Sequence, residues 1–132
     1  MIKIVSTFRL RPGQSEADSD AHYLEHHVPM VREILEEIPG ALGYVQNRVV
    51  HPVAYDHNRP EGRKVEPLFD WLVELWFESR DARQQMAAHP MMQQVMADHP
   101  NFMHTETERC MEYYVVDEHV ALWRPQNGRT AP

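Results

Sequence analysis

The stretch from Ser15 to Ile38 constrains the fold most, because its pattern predicts a long amphipathic helix that must pack one side against other elements. Ser15 is the predicted N-cap, since its hydroxyl can accept a hydrogen bond from an unpaired backbone N–H of the first turn. Pro39-Gly40 ends the helix. Apolar residues recur at spacings of four and three, at Ala17, Ala21, Leu24, Val28, Val31, Leu35 and Ile38. We expect this stripe to face the core.

One side chain of this helix, His27, is a candidate for chemistry. Tyr23 and His27 are four residues apart and lie off the apolar stripe, so their side chains are neighbours on one helix face. Pro29 lacks an N–H and clashes with the carbonyl oxygen of Glu25, which predicts a bend beside His27. Because a broken local rule beside a titratable group is typical of functional sites, we predict a catalytic or binding role for His27. A buried structural histidine is the alternative.

Strand patterns surround this helix and predict the fold class. A second, broken helical region lies between residues 82 and 99. Alternating apolar and β-branched residues predict strands over residues 2–9, 42–51, 70–78 and 108–116. The order β-α-β-β-α-β predicts an α+β, ferredoxin-like antiparallel sheet with helices on one face. The bare second face would be an exposed apolar patch, so we expect two copies to cover each other in a dimeric α+β barrel.

The composition of the chain limits which binding partners and which cellular compartment we expect. A chain of 132 residues fits one domain, which we place at residues 1–123, followed by a polar tail at 124–132. The net charge of −7 argues against a nucleic-acid partner, because neutralising phosphates requires clustered Lys and Arg. We see neither a signal-like leader nor an apolar run of the ~20 residues that a membrane span needs, so we expect a cytoplasmic protein without a membrane partner. The single cysteine, Cys110, excludes an internal disulfide.

Strand parity predicts a polar interior. In the strand at residues 70–78, one set of side chains is entirely apolar and belongs under the helices. The other set would line the lumen of the barrel: Asp70, Leu72, Glu74 and Trp76. In the strand at residues 42–51, we assign to the same lumen Tyr44, Gln46 and Arg48. We expect Arg48 to pair with Glu74, because a carboxylate in a low dielectric needs a partner or becomes protonated. The pair can also be purely structural.

The other histidines have simpler interpretations. His22 and His26 have the spacing of metal ligands on a helix, and His51 or His57 could supply one further ligand. No cysteine and no H-E-x-x-H motif supports such a site, so we predict a solvated histidine face and no metal. His89 and His99 each precede a proline at the end of a helical piece, where a cation suits the helix dipole. We interpret both as structural.

The segment at residues 52–67 is rich in Pro, Gly and charge and is predicted to be a long loop. It follows a strand assigned to the lumen, so it is either a lid over the site or an ordinary solvated insertion. His51 and Tyr55 lie at its start, and we predict that they contact the substrate.

Three motifs resemble the EthD-like branch of the dimeric α+β barrel proteins. The first is Y-x-x-x-H-x-P from Tyr23 to Pro29, in a helix that follows R-P-G-x-S from Arg11 to Ser15. The second is the strand Asp70–Phe77, similar to D-G-x-x-E-L-W-F, and the third is V-V-x-E-H-V at Val115–Val120. Together they span roughly residues 1–123. The resemblance implies a dimeric barrel that acts on a small hydroxylated aromatic, polyketide-like or lactone molecule.

The residue inventory favours proton transfer without a cofactor. We predict His27 as general base or acid, with Tyr23, Glu74 and Arg48 completing the catalytic set. The predicted substrate-binding residues are Tyr44, Gln46, Trp76, Asp70, His51 and Tyr55. Dehydration, decarboxylation, retro-aldol deformylation and double-bond migration all fit a cofactor-independent lyase or isomerase. The alternatives are a non-catalytic ligand-binding or stress-response barrel, and a cofactor-free or haem-dependent monooxygenase of the same superfold.

Overall fold

The computed structural model describes residues 1–50, 54–59, 62–107, 109–126 and 128. The strands are β1 Ile2–Phe8, β2 Ala41–Arg48, β3 Ala54–Asp56, β4 Arg63–Val65, β5 Trp71–Phe77 and β6 Met111–Val116. The helices are α1 Glu16–His22, α2 Val28–Glu36, α3 Arg80–Ala87 and α4 Met92–Asp98. A π-helical turn, Tyr23–His27, joins α1 to α2, and a 3₁₀ turn, His99–Asn101, follows α4. In the part of the chain with described structure, every helix is too short or too polar to cross a membrane.

Four strands form one antiparallel sheet in the order β2-β5-β1-β6, which confirms the predicted ferredoxin-like α+β fold. The helices cover one face of this sheet, which we call the helix face. The side chains of β5 that were predicted to lie there are buried: Trp71, Val73, Leu75 and Phe77. From β1 they are joined by Ile4, Ser6 and Phe8. The core therefore lies between the helix face and the helices.

The segment predicted as a structureless loop contains a hairpin instead. β3 and β4 pair antiparallel, with Ala54 opposite Val65. Asp56 stabilises the turn between them, because its carboxylate accepts hydrogen bonds from the backbone N–H of Asn58 at 3.0 Å and from Arg59 at 3.2 Å. Strands of three residues are too short to show an alternating pattern in sequence. Residue 51, the predicted His51 contact, lies outside the described residues.

The helix prediction holds at its start and end but is wrong in between. Ser15 caps α1 as predicted and accepts a hydrogen bond from the N–H of Asp18 at 3.0 Å. The downstream stripe is buried, at Val31, Leu35 and Ile38. The upstream stripe is exposed, at Ala17, Ala21 and Leu24, and the buried residues there are Ser19, Tyr23 and His27. The π-helical turn is the cause, because an i to i−5 hydrogen bond from Val28 to Tyr23 widens the turn and rotates α1 relative to α2.

A β-bulge reverses the predicted orientation of β2. The pairing with β5 shifts by one residue between Ala41 and Gly43. Without this shift Tyr44 would lie opposite Glu74, but the bulge moves it opposite Leu75. A Cβ on Gly43 would lie 2.8 Å from the Trp76 ring, so the bulge requires glycine. The side chains that now lie on the helix face are Tyr44, Gln46 and Arg48, and the prediction that they share a face with Glu74 is wrong.

Candidate active site

A cavity of about 480 Å³ lies between the helix face of the sheet and the helices. Three of the predicted site residues line it: Tyr23, His27 and Tyr44. Its apolar wall includes Phe8, Val31, Val73, Leu75, Met86, Met92, Val95, Met96, Phe102, Met103 and Met111, and its other polar residues are Ser6, Arg83, Gln84, His99 and Tyr113. A mostly apolar pocket with a few convergent polar groups is typical of small-molecule sites.

At the centre of the polar end, His27 is paired with a carboxylate. The π-helical turn buries His27 to 5 % exposure and directs its ring towards the end of α4. There Nδ1 lies 2.9 Å from Oδ2 of Asp98, the last residue of α4. An ionised carboxylate can only accept hydrogen bonds, so Nδ1 carries the proton. Nε2 is therefore the basic nitrogen of His27.

The second carboxylate oxygen of Asp98 binds His22, which corrects the prediction that His22 faces solvent. Nε2 of His22 lies 2.7 Å from Oδ1 of Asp98, and the side-chain amide of Asn101 donates to the same oxygen at 2.9 Å. The physical reason is that α1 lies against the end of α4, which brings a buried acceptor to His22. His26, the other member of the predicted pair, is exposed. Among the described residues, no group of three or more His, Cys, Asp or Glu side chains is arranged to hold a metal ion.

These contacts fix the charges near neutral pH of His27, Asp98 and His99, which we call the His27 cluster. Burial lowers the pKa of His27, and the hydrogen bond to Asp98 opposes this only in part. Burial acts to raise the pKa of Asp98, but hydrogen bonds from Asn101, His22 and His27 together lower it below its usual value. Burial also lowers the pKa of His99 to about 4, which excludes the cation at a helix end that we expected. The cluster is therefore a neutral base beside an ionised carboxylate.

Two tyrosines complete the polar end. Tyr23 and Tyr44 lie close enough for their hydroxyl groups to interact, and burial raises the pKa of both, that of Tyr44 to about 12. Both phenols are therefore neutral donors. The Tyr23 ring is held at 4.9 Å from the Phe8 ring and stacks on His27 at a centroid distance of 5.7 Å. Aromatic packing of this kind fixes the ring orientation that the hydrogen bonds need.

Arg48 does not pair with Glu74, and that prediction is wrong. Because the bulge in β2 turns Arg48 to the helix face, its guanidinium contacts Asp20 at 3.1 Å, Glu16 at 3.6 Å and Asp70 at 3.8 Å. These residues line a separate polar cleft rather than the cavity. The placement of Arg48 and Asp70 thus gives them no contact with the cluster around His27.

Glu74 and Trp76 lie on the opposite face of the sheet from the cavity. Glu74 forms an ion pair with Lys3 at 2.8 Å. Lys3 also pairs with Glu118, which accepts a hydrogen bond from Nε1 of Trp76 at 3.3 Å. Glu118 belongs to the segment after β6, so this segment covers part of the face that was predicted to be bare. Neither Glu74 nor Trp76 is among the residues that line the cavity.

The remaining predicted binding residues are divided between the cavity wall and the surface. Gln46 is half-buried on the same sheet face as Tyr44 and is not among the residues that line the cavity. Tyr55 is 51 % exposed in the β3–β4 hairpin, with its ring 5.9 Å from that of His57. The hairpin contributes no described residue to the cavity. Its role as a lid stays a prediction.

Sequence reasoning missed the site residues at the end of α4 and just after it. Asp98, His99 and Phe102 surround His27, with ring centroids at 5.2 Å for His99 and 4.6 Å for Phe102. A signal was present, because Asp98-His99-Pro100 places two polar groups at a helix end beside a proline. The split βαβ order puts both helical regions on one sheet face, so this end had to lie near the first helix.

The family of the chain follows from comparison with known proteins. The EthD domain model matches residues 11–106, a range that includes both His27 and Asp98. The chain belongs to the EthD domain family. None of the curated proteins matches this EthD domain protein in sequence.

Solved structures agree with this EthD assignment at the level of the fold. An ethyl tert-butyl ether D family protein from Bacillus halodurans is 19 % identical with a TM-score of 0.58, covering 90 % of this chain and 100 % of that one. SnoaB from Streptomyces nogalater, described as a cofactor-independent oxygenase, is 10 % identical with a TM-score of 0.57, covering 92 % and 95 %. A dimeric ferredoxin-like protein of unknown function from Jannaschia is 11 % identical with a TM-score of 0.61, covering 89 % and 98 %.

Proposed function

We propose that this EthD domain protein is a cofactor-independent lyase or isomerase that moves a proton on a small hydroxylated aromatic, polyketide-like or lactone substrate. The observation that carries the proposal is the pairing of His27 with Asp98 at 2.9 Å, at the polar end of a largely apolar cavity. A neutral imidazole that is oriented by a carboxylate is a suitable general base near pH 7. Membership of the EthD family is consistent with this chemistry.

In the proposed reaction Nε2 of His27 takes a proton from the substrate, and the pair of electrons left behind moves onto a substrate oxygen. Asp98 stabilises the imidazolium that forms, since its carboxylate lies against Nδ1. In the second half of the reaction His27 returns the proton to another atom of the substrate, or to the leaving group in a lyase reaction. The histidine is regenerated, so no external proton donor or oxidant is consumed.

The tyrosine pair is suited to stabilise the substrate oxygen. Burial keeps Tyr44 protonated, with a pKa of about 12, so its hydroxyl can donate a hydrogen bond to a developing enolate or phenolate. Tyr23 interacts with Tyr44 and stacks on His27, which positions donor and base relative to each other. The proposed site therefore retains Tyr23 and Tyr44 from the sequence prediction. Asp98 takes the place of the predicted Arg48 and Glu74.

We also propose that the protein is a homodimer joined through the sheet face opposite the helices. Val5, Val45 and Leu72 on that face are only half-buried, and the segment that carries Glu118 covers only part of it. Several structures of similar fold are described as dimeric. Light scattering at micromolar concentration should give twice the 15.5 kDa chain mass. A mass equal to one chain contradicts this arrangement.

A second candidate function is cofactor-independent oxygenation. It is favoured by the fold shared with SnoaB and by the apolar wall of the cavity, which suits a reaction that excludes water. The same base would then act on a substrate that reacts with oxygen after deprotonation. Turnover under air that ceases under nitrogen, in protein without haem absorbance, would support this candidate over the first.

Proton transfer can be tested directly. Candidate hydroxylated aromatics and lactones are incubated with the protein in deuterated water under nitrogen, and mass spectrometry follows product formation and deuterium uptake at carbon. His27→Gln should lower the rate about 10²- to 10⁴-fold, with little loss of ligand affinity. His26→Gln is the matched control, because His26 is the neighbouring residue and is exposed. Equal rates for the two variants would exclude His27 as the base.

A further inference from the structure

We propose that the cavity selects an apolar ligand that carries one carboxylate, which is bound by Arg83 of α3 and the hydroxyl of Ser6 of β1. Both residues line the cavity, and the sequence patterns pointed to neither. The inference rests on the proposed function in one respect: it takes this cavity to be the substrate site and names the class of substrate. It concerns recognition, whereas His27 concerns the reaction.

The charge balance of the cavity is the first argument. Among the described residues that line it there is no carboxylate and no lysine. His27 and His99 have lowered pKa values and the two tyrosines raised ones, so these four groups are neutral near pH 7. Arg83 therefore contributes a positive charge that no other lining group of the described chain balances. Inside low-dielectric walls a single charge of this kind attracts an anion.

Arg83 is held in place but has no anionic partner among the residues with described structure. Its guanidinium carbon lies 5.5 Å from the centroid of the Tyr113 ring, a cation–π contact. The side chain is half-buried, and no ion pair involves it within the described part of the chain. A guanidinium stacked on a ring keeps its edge available for a bidentate carboxylate. The structure thus presents an oriented donor without an acceptor.

Ser6 supplies a second, independent indication of a ligand. Ser6 is 3 % exposed, and its Oγ has no hydrogen-bond partner among the described residues. A buried hydroxyl without a partner costs folding free energy, so such groups usually meet a ligand or water. Ser6 lies directly opposite Tyr113 in the β1–β6 pairing, on the same sheet face. Ser6 and Arg83 are therefore linked through Tyr113, which pairs with Ser6 along the strand and stacks its ring on Arg83.

The rest of the cavity indicates an apolar body for the ligand. The other lining residues include the thioether and aliphatic side chains of Met86, Met92, Met96, Val73 and Leu75. Methionine side chains adapt to irregular apolar shapes, so the wall fits ring systems better than polar chains. A carboxylate at one end would place the apolar body against this wall and an oxygen of the ligand near Tyr44.

The test compares two probes that differ only in charge, naphthoate and naphthamide, by calorimetry or tryptophan fluorescence. The wild-type protein should bind naphthoate about 10-fold or more tightly than naphthamide, since a charge-assisted hydrogen bond is lost with the amide. Arg83→Met keeps the apolar stem and should remove this preference, and Arg83→Lys should restore part of it. Arg80→Met, on the exposed side of the same helix, loses the same charge and should leave the preference unchanged.

Three results would overturn the proposal. They are equal binding of the two probes to the wild-type protein, an unchanged preference in Arg83→Met, and no binding of either probe. Ser6→Ala should weaken naphthoate binding several-fold without loss of the fold, which distinguishes recognition from a structural role. Failure of the proposed function would look different, because His27→Gln would then leave turnover intact while the carboxylate preference at Arg83 persisted.

Discussion

Replacing Asp98 by asparagine is the perturbation that bears most directly on the site. In the native protein the carboxylate accepts hydrogen bonds from His27 at 2.9 Å, His22 at 2.7 Å and Asn101 at 2.9 Å. Hydrogen bonds to a charged group contribute about 1.5–3 kcal/mol, against about 0.5–1.5 kcal/mol for neutral pairs. Asp98→Asn keeps the shape but removes the charge that stabilises the His27 imidazolium. The difference of about 1–1.5 kcal/mol predicts that turnover should fall by about 10-fold.

The pH profile gives an independent check on this reasoning. His27 must be neutral to act as a base, so the rate should rise with pH through its lowered pKa and then level off. Without the carboxylate that pKa falls further, and the acid limb of the profile should move to lower pH. Asn101→Ala, which removes a hydrogen bond to the same oxygen without changing its charge, is the control and should have a much smaller effect. A folded Asp98→Asn variant with native turnover and an unmoved profile would refute the role of the pair.

Three further outcomes follow from the structure. Ser6→Ala and Ser19→Ala each remove a buried hydroxyl that has no described partner, so both should raise the free energy of unfolding by about 1–3 kcal/mol in urea denaturation. A lower free energy of unfolding in both variants would contradict the assignment of these hydroxyls as unpaired. The pKa of His99 is lowered from 6.5 to about 4, so between these pH values the unfolded chain binds a proton that the folded chain does not. The free energy of unfolding should therefore be constant above pH 6.5 and decline towards pH 4. His99→Gln should flatten this decline, as measured by the melting temperature at each pH. Deleting residues 58–64 should leave the melting temperature nearly unchanged because β3 and β4 form a separate sheet, and unaltered kinetics would show that the hairpin is not a lid.

The sequence was sufficient for the fold because the strands carry strong periodic signals. The burial of Trp71 and Val73 under the helices follows from alternation alone, and the order of elements leaves few topologies for an antiparallel sheet. The site was only half predictable for the same reason. Periodicity assumes one repeat along an element, and this chain breaks the repeat twice: at the bulge beside Gly43 and at the π-helical turn before Val28. Each break turns the residues that follow to another face.

Contacts between distant elements were the second limit. Asp98 reaches His27 from 71 positions away in the chain, and nothing in the local pattern of α4 indicates that its last carboxylate points inwards. The pairing of Arg48 with Asp20 rather than Glu74 has the same origin, since the choice among acidic partners depends on side-chain direction. The residue types in the sequence indicate which side chains are candidates for the site. The register of the strands and helices determines which of these candidates contact each other.

The π-helical turn holds one residue more than a regular α-helix would need to join the same two buried faces. Removing one residue between Leu24 and His26 would restore a continuous α-helix. In that helix Ser19, Tyr23, His27 and Val31 would follow one another at spacings of four, three and four, so the faces that are buried now would stay aligned. A relative shorter by one position here is therefore expected to keep the fold and to keep its histidine on the same side of the helix.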